Sequence, residues 1–167
     1  MQKGRSENPF CVHIKDKKVR RGENTVPKNE KKYMFEGWFS VCMPETWEYT
    51  IDEDMLTICS MKNAKGVLQV SFFHRNEMVE SLRESAEKHL NKFLSQYDVV
   101  VENNTYKVIV APNLTVANAS GEYDSEFIKV WTIVNEDKML LVTYISPNKT
   151  RELSTAEDIV YSINFDS

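Results

Sequence analysis

Glycine, proline and cysteine are scarce in this chain, which has only 5, 5 and 3 of them in 167 residues. So few scattered glycines cannot build the Gly-rich loops that cradle phosphates, and nucleotide binding through a GxGxxG motif or a P-loop is therefore excluded. The same scarcity excludes collagen-like and disulfide-scaffold chains. Apolar residues at 41% and charged residues at 28% are ordinary for a globular protein, and the length predicts a single domain.

Long hydrophobic runs are also missing, and the uninterrupted ones are as short as residues 139–142. A membrane-spanning helix needs about 18 apolar residues in a row, so we expect no membrane association. The N-terminus has no apolar stretch of the length that a secretory signal requires, which favours a cytoplasmic location. Cys11, Cys42 and Cys59 form an odd set without CxxC spacing, which is typical of reduced thiols rather than of a disulfide framework.

The sequence also lacks a recognisable metal-binding motif. His13, His74 and His89 form no HxH or HExxH motif and pair with no cysteine at ligand spacing, so we expect no metal and no cofactor. The acidic run 52–54 is followed by Met55 and Leu56, where a calcium loop would need a further spaced ligand and a turn glycine. We therefore interpret it as a charged hairpin turn.

Charge is distributed unevenly: residues 1–33 have a net charge of +6, whereas residues 34–167 have −10. Apolar residues are sparse in the first part, so we expect residues 1–32 to be a basic, weakly structured arm and residues 33–167 a single α+β domain. Five cations lie between Lys15 and Arg21 and could neutralise phosphates. The acidic pI near 5.5 and the lack of interleaved aromatics argue against nucleic acid as a partner.

Short runs of β-forming residues alternate with turn residues through most of the domain. Connections of two to five residues join several of them, which fits antiparallel hairpins and is too short for parallel crossovers. The strands are predicted near residues 33–42, 47–50, 55–61, 67–75, 98–102, 105–111, 115–124, 126–135 and 138–146. Both faces of the last two strands are apolar, so these strands should be central and covered on both sides, whereas strand 67–75 is lopsided.

Two segments have helical periodicity instead. In residues 77–97 apolar side chains recur at spacings of three and four, which predicts one long amphipathic helix. Near the C-terminus, Ser154 and Glu157 match a capping box before Ile159, Val160 and Ile163, which predicts a short second helix. The fold class is therefore α+β, with a mainly antiparallel sheet flanked by helices.

His74 and Arg75 are the strongest candidates for a ligand-binding site. They end a predicted strand, and strand ends can open onto clefts where polar side chains converge. A solvated or capping role is the plainer interpretation of this pair. We find no catalytic residue set, since nucleophile and base motifs in their required context are missing.

Several short motifs in this order of elements resemble the PsbP-like fold, over about residues 33–165. The superfamily includes the photosystem extrinsic protein, the Ran-binding Mog proteins and uncharacterised bacterial families. The motifs are Phe39-Ser-Val, Pro44-Glu-Thr-Trp47, Gly66-Val-Leu-Gln-Val, Tyr144-Ile-Ser and the final Tyr161-Ser-Ile-Asn-Phe165. The resemblance implies an α/β/α sandwich in a bacterial protein. It also implies a binding or accessory role without a shared catalytic residue set.

Three functions stay open from the sequence. The first is a non-enzymatic domain that acts through protein–protein contact, with no cofactor. The second is a small-molecule binding or hydrolytic domain with a cleft near His74 and Arg75. The third is an acidic immunity-type protein whose negatively charged body neutralises a basic toxin, in which case binding would weaken steeply as salt rises.

Overall fold

The computed structural model describes residues 2–4, 29–76 and 80–166, with the backbone alone for residues 2–4. In this part of the chain there are twelve strands and two helices. The helices are α1 (Leu82–Gln96) and α2 (Glu152–Tyr161). The strands are β1 (Gln2–Gly4), β2 (Glu30–Phe35), β3 (Phe39–Pro44), β4 (Trp47–Asp52), β5 (Met55–Ser60), β6 (Val67–His74), β7 (Val100–Val101), β8 (Lys107–Val110), β9 (Thr115–Tyr123), β10 (Glu126–Val134), β11 (Lys138–Ser146) and β12 (Asn164–Phe165).

Most strands belong to one large sheet, in the order β1-β4-β5-β6-β11-β10-β9-β7, with β8 also paired to β9. Every strand pairing within the described residues is antiparallel, which confirms the predicted sheet type. Short turns join most neighbours, and the turn between β9 and β10 has Asp124 and Ser125 both at positive φ, as a type I′ hairpin requires. The pairing of β6 with β11 is different because it joins segments that are far apart in sequence.

Two layers cover this sheet. On one face, α1 packs its buried Ala86 and Leu90 against β9 and β10. On the opposite face, α2 and a small sheet in the order β12-β3-β2 enclose the larger hydrophobic core, which contains the fully buried Trp131 of β10. Burial of Trp131 on one face and Val130 on the other confirms that β10 is central and covered on both sides.

One predicted strand is wrong, because residues 33–42 form parts of two strands. The chain turns at residues 36–38, and β2 pairs back onto β3 with Phe35 opposite Phe39. Gly37 has a φ of 80°, which a residue without a Cβ adopts readily, and this allows the tight reversal. The other predicted strands of the domain are confirmed, with ends that differ by a few residues.

Both helices are confirmed, but their N-termini differ from the prediction. Helix α1 begins at Leu82 because the Ser81 side chain accepts from the backbone of Glu84, and the Glu84 carboxylate accepts in return from the backbone of Ser81. The expected capping box at Ser154 is wrong, since Ser154 lies inside α2. Residues 77–79 of the predicted helix lie outside the described residues.

The N-terminal arm is described at its two ends. Residues 2–4 pair with β4, and β2 begins at Glu30. The basic run 15–21, Cys11 and His13 lie outside the described residues, so the division at residue 32 stays a prediction. Cys42 of β3 is disulfide-bonded, and the expectation of reduced thiols is therefore wrong at this position. Three cysteines still allow one disulfide bridge, and the absence of a CxxC motif does not exclude it.

Candidate functional site

Arg75 of the predicted His74–Arg75 pair binds backbone carbonyls and does not line the nearby cleft. Its Nη1 donates to the carbonyl oxygens of Asn135 at 2.8 Å and Glu136 at 3.1 Å, and its Nη2 lies 3.5 Å from the carbonyl oxygen of Glu80. The guanidinium thus joins the end of β6 to the β10–β11 turn and to the start of α1. Arg75 therefore has a structural role, because its guanidinium donates hydrogen bonds to backbone carbonyls of the protein itself.

His74 stacks on an aromatic ring instead of meeting a carboxylate. Its ring centroid lies 4.4 Å from that of Trp38, with an interplanar angle of 36°. Trp38 belongs to the turn between β2 and β3, so this contact joins the large sheet to the small one. No described carboxylate hydrogen-bonds the His74 ring, so the described residues do not pair this imidazole with the orienting group of a hydrolytic site.

A polar cleft of about 540 Å³ opens at the same end of the sheet. Neither His74 nor Arg75 lines it, although Arg75 holds two residues of its wall through their carbonyls. The polar side chains that line it are three amides and two carboxylates: Asn113, Asn135, Glu136, Asn164 and Asp166. Among the described lining residues there is no cation and no hydroxyl or thiol nucleophile. Hydrogen bonding to a polar or cationic ligand is what this set of groups can do.

A second surface lies beside α1, on the strands of the large sheet that α1 does not reach. Helix α1 packs on β8, β9 and β10, and no described helix packs on β6 and β5 on the same face. Val67 and Phe73 of β6 are 40% and 44% exposed there, and Met55 of β5 is 37% exposed. This position explains the lopsided sequence of β6. On the opposite face of the strand, Leu68 and Val70 are fully buried in the core.

Between α1 and this open face runs a groove of about 280 Å³, which we call the α1 groove. Its aromatic wall is continuous: the Phe93 and Tyr97 rings lie 4.6 Å apart, and Tyr97 meets the edge of Tyr123 at 6.0 Å. None of the described residues that line it is charged. These residues are Gln69, Ser71, Phe93, Tyr97, Tyr123, Ile128, Leu141, Thr143 and Ile145.

The strand side of the groove presents a row of uncharged hydrogen-bonding groups. The strand register places Thr143 beside Gln69 and Gln69 beside Thr57, so amide and hydroxyl side chains follow one another across three strands. Ser71 neighbours Leu141 in the next row. A bound group would therefore meet aromatic and aliphatic carbon on the helix side and neutral polar groups on the strand side.

His89 of α1 lies near two cations of the same helix, Lys88 and Lys92. Burial lowers the pKa of His89, and the neighbouring cation Lys88 lowers it further, followed by Lys92. Glu80 acts in the opposite direction and forms an ion pair with Lys88 at 2.7 Å. His89 therefore favours its neutral form, and neither Lys88 nor Lys92 is among the described residues that line the groove.

The remaining sequence motifs have structural roles in the described part of the chain. Residues 52–54 turn from β4 into β5 with Glu53 at a φ of 51°, which confirms a charged hairpin turn. No three His, Cys, Asp or Glu side chains in residues 29–76 and 80–166 are arranged to hold a metal ion. Within the same residues, no helix has the length and apolar character needed to cross a membrane.

Comparison with known proteins gives a likeness of fold. No family model matches the chain, and no curated protein is similar to it in sequence. The fold is similar to that of a crystal structure from Bacteroides thetaiotaomicron VPI-5482, with a TM-score of 0.55 and 15% sequence identity. The match covers 82% of this chain and 48% of that one, so this chain spans about half the length of the solved structure. At this identity the likeness concerns the fold alone.

Sequence reasoning missed the α1 groove. Phe93 and Tyr97 continue the apolar stripe of the predicted helix 77–97, but periodicity does not say how many strands the helix covers. The available signal was the mixed face of strand 67–75, where Gln69 and Ser71 alternate with Val67 and Phe73. Such a pattern indicates a sheet face that is neither core nor fully solvated.

Proposed function

We propose that this chain is a non-enzymatic domain that binds another protein by taking an apolar side chain of that protein into the α1 groove. The observation that supports it is the groove itself, an uncharged half-open channel with three aromatic rings on one wall. Contiguous exposed apolar surface is one mark of a site that contacts another protein. The PsbP-like assignment, with its binding or accessory role, is part of this proposal.

The size of the groove favours a side chain over a free ligand. Pockets for small molecules and cofactors are usually about 300–1,000 Å³ and enclose most of the ligand. The α1 groove has about 280 Å³ and is open along one side. It would hold one large apolar anchor, while the backbone of the same partner could bond to the neutral side chains of Gln69 and Thr143.

Two matched variants test the groove. Ser71→Trp fills it, whereas Thr50→Trp adds the same ring to the same sheet face on β4, outside the lining. Lysate of the native cell is passed over immobilised full-length wild type and both variants, and captured proteins are identified and then measured with purified components. We expect a partner that binds wild type and Thr50→Trp but loses at least about tenfold in affinity for Ser71→Trp, since one filled anchor pocket costs at least 1.4 kcal/mol.

Other outcomes contradict the proposal in different ways. A partner that binds Ser71→Trp as tightly as wild type would place the contact elsewhere on the domain. A partner released from all three proteins by moderate salt would favour the acidic immunity-type function, because charge-dominated binding is screened. No specific partner for any of the three would count against a protein-binding function.

The polar cleft favours a small ligand as the second candidate. Its carboxylates, Glu136 and Asp166, lie among three amides, which suits a cationic ligand with hydrogen-bonding groups. Thermal-shift screening of small amines against wild type and Asp166→Asn would detect it. Stabilisation of wild type alone would support this function, and equal responses of the two proteins would exclude the cleft.

The cytoplasmic location also stays a proposal. The disulfide at Cys42 weighs against it, because cytosolic thiols are normally kept reduced. Native cells lysed directly into denaturant with an alkylating reagent would decide, because Cys42 is buried in the folded protein: a modified Cys42 indicates a reducing compartment, and a Cys42 that reacts only after reduction indicates an oxidising one.

A further inference from the structure

Strand β8 forms an edge of the large sheet, and its outer backbone groups have no partner among the described residues. Its inner side pairs with β9, and the hairpin between them closes with the N–H of Ala111 donating to Leu114 at 2.9 Å. In an antiparallel ladder every second residue directs its N–H and C=O toward the same neighbour. Ile109 therefore faces β9, and Val108 and Val110 direct their backbone groups outward.

The side chains of β8 do not protect this edge. Ile109 and Val110 are 46% and 63% exposed, and they lie on opposite faces of the strand. Natural edge strands are usually shielded by an inward charge, a proline or a bulge. The segment from Val108 to Val110 has no such device, although Lys107 and Pro112 flank it. The edge is therefore open to the addition of another strand.

We propose that a second copy of this chain pairs with β8 in antiparallel orientation, around a two-fold axis at Ile109. In this register Val108 is opposite the partner's Val110, and both residues have outward backbone groups, so the two equivalent pairs form four N–H···O bonds. Ile109 meets the partner's Ile109 at the position where opposing side chains are closest. Lys107 is opposite the partner's Ala111, so no like charges meet in the pairing.

The neighbouring helix does not oppose this pairing. Tyr106, just before β8, lies beside Arg83 and Glu87 of α1. These two side chains form an ion pair with each other at 3.5 Å, so the flank of the helix next to the edge has no net charge from them. The α1 groove lies on the other side of α1, toward β6, so dimerisation would leave it open. The inference is therefore independent of the proposed function.

Analytical ultracentrifugation of the full-length protein over a concentration series tests the dimer. We expect the wild-type mass to rise from 19.4 kDa toward twice that value. Ile109→Lys places two ammonium groups opposite each other and should weaken dimerisation at least about tenfold. Val110→Pro removes a donor that faces outward and keeps the ladder with β9, so it should give a folded monomer. Val67→Lys, the same kind of charge change at an exposed strand residue away from the edge, should behave as wild type.

A cross-link tests the register. Ile109→Cys should form a covalent dimer on oxidation, whereas Lys107→Cys, which faces the partner's Ala111, should not, with wild type as the blank for the native cysteines. A wild-type protein that stays monomeric at every concentration would overturn the proposal, even if the edge accepts a strand from another protein. Dimers of Ile109→Lys and Val110→Pro that form as readily as those of wild type would overturn it as well.

Discussion

Ser162 joins the end of α2 to strand β3 through one buried hydroxyl, and its removal is a sharp test of the packing. The Cys42 N–H donates to Ser162 Oγ at 2.7 Å, and Oγ lies 2.6 Å from the carbonyl oxygen of Ile159 and 3.1 Å from that of Cys42. Ser162 is 6% exposed and Cys42 is 4% exposed. Ser162→Ala removes the acceptor and changes the side-chain volume very little.

The expected loss is about 1–3 kcal/mol of unfolding free energy. An N–H group that is buried and left without an acceptor costs about this amount, because water cannot replace the lost partner. Helix propensity is a smaller effect of opposite sign, since alanine is favoured over serine by a few tenths of a kcal/mol. In a domain of this size about 1 kcal/mol shifts Tm by roughly 2–4 °C, so Tm should fall by about 2–12 °C.

Urea unfolding followed by tryptophan fluorescence measures this loss, since Trp47 and Trp131 are buried in the same core. The midpoint should fall and the slope should stay constant. Ser154→Ala is the matched control, because Ser154 is an exposed residue of the same helix. If Ser162→Ala is within about 0.5 kcal/mol of that control, the hydroxyl does not hold α2 to β3 and the reasoning is wrong.

Three further predictions follow from the described contacts. Ser81→Ala should cost about 0.5–2 kcal/mol in urea unfolding, because Ser81 caps α1, and a cost no larger than that of Ser154→Ala would contradict this. Gly121→Ala should lower Tm, because an added Cβ would overlap the carbonyl oxygen of Val100 and push β7 away from β9. An unchanged Tm would contradict this and show that β7 is held loosely. Burial lowers the pKa of His89, so the unfolded state binds more protons between that pKa and about 6.5. The unfolding free energy should therefore fall as pH drops through this window, and His89→Gln should lose that part of the slope.

The sequence predicted the antiparallel sheet, both helices and the two buried faces of β10, because these depend on local periodicity. The strands on which α1 packs could not be predicted from the sequence. An apolar stripe that includes Ala86 and Leu90 specifies the buried face of the helix but not the strands beneath that face. The reversal at Gly37 was missed because two apolar runs on either side of a short turn look like one strand. Arg75 is a ligand-binding candidate from the sequence, but its partners in the structure are backbone carbonyls from a distant turn, which no local pattern reveals.

The pairing of β6 with β11 has a consequence for the order of folding. Strands β4 to β6 and strands β9 to β11 are each joined by short turns, whereas the β6–β11 contact encloses residues 75–137. Closing so long a loop has an entropic cost that local hairpins avoid, so we expect both groups of strands to form before they join. Substitutions at the junction, such as Val142→Ala, should then accelerate unfolding more than they slow folding. A φ-value near one at Val142 would show instead that the junction forms early and organises both halves.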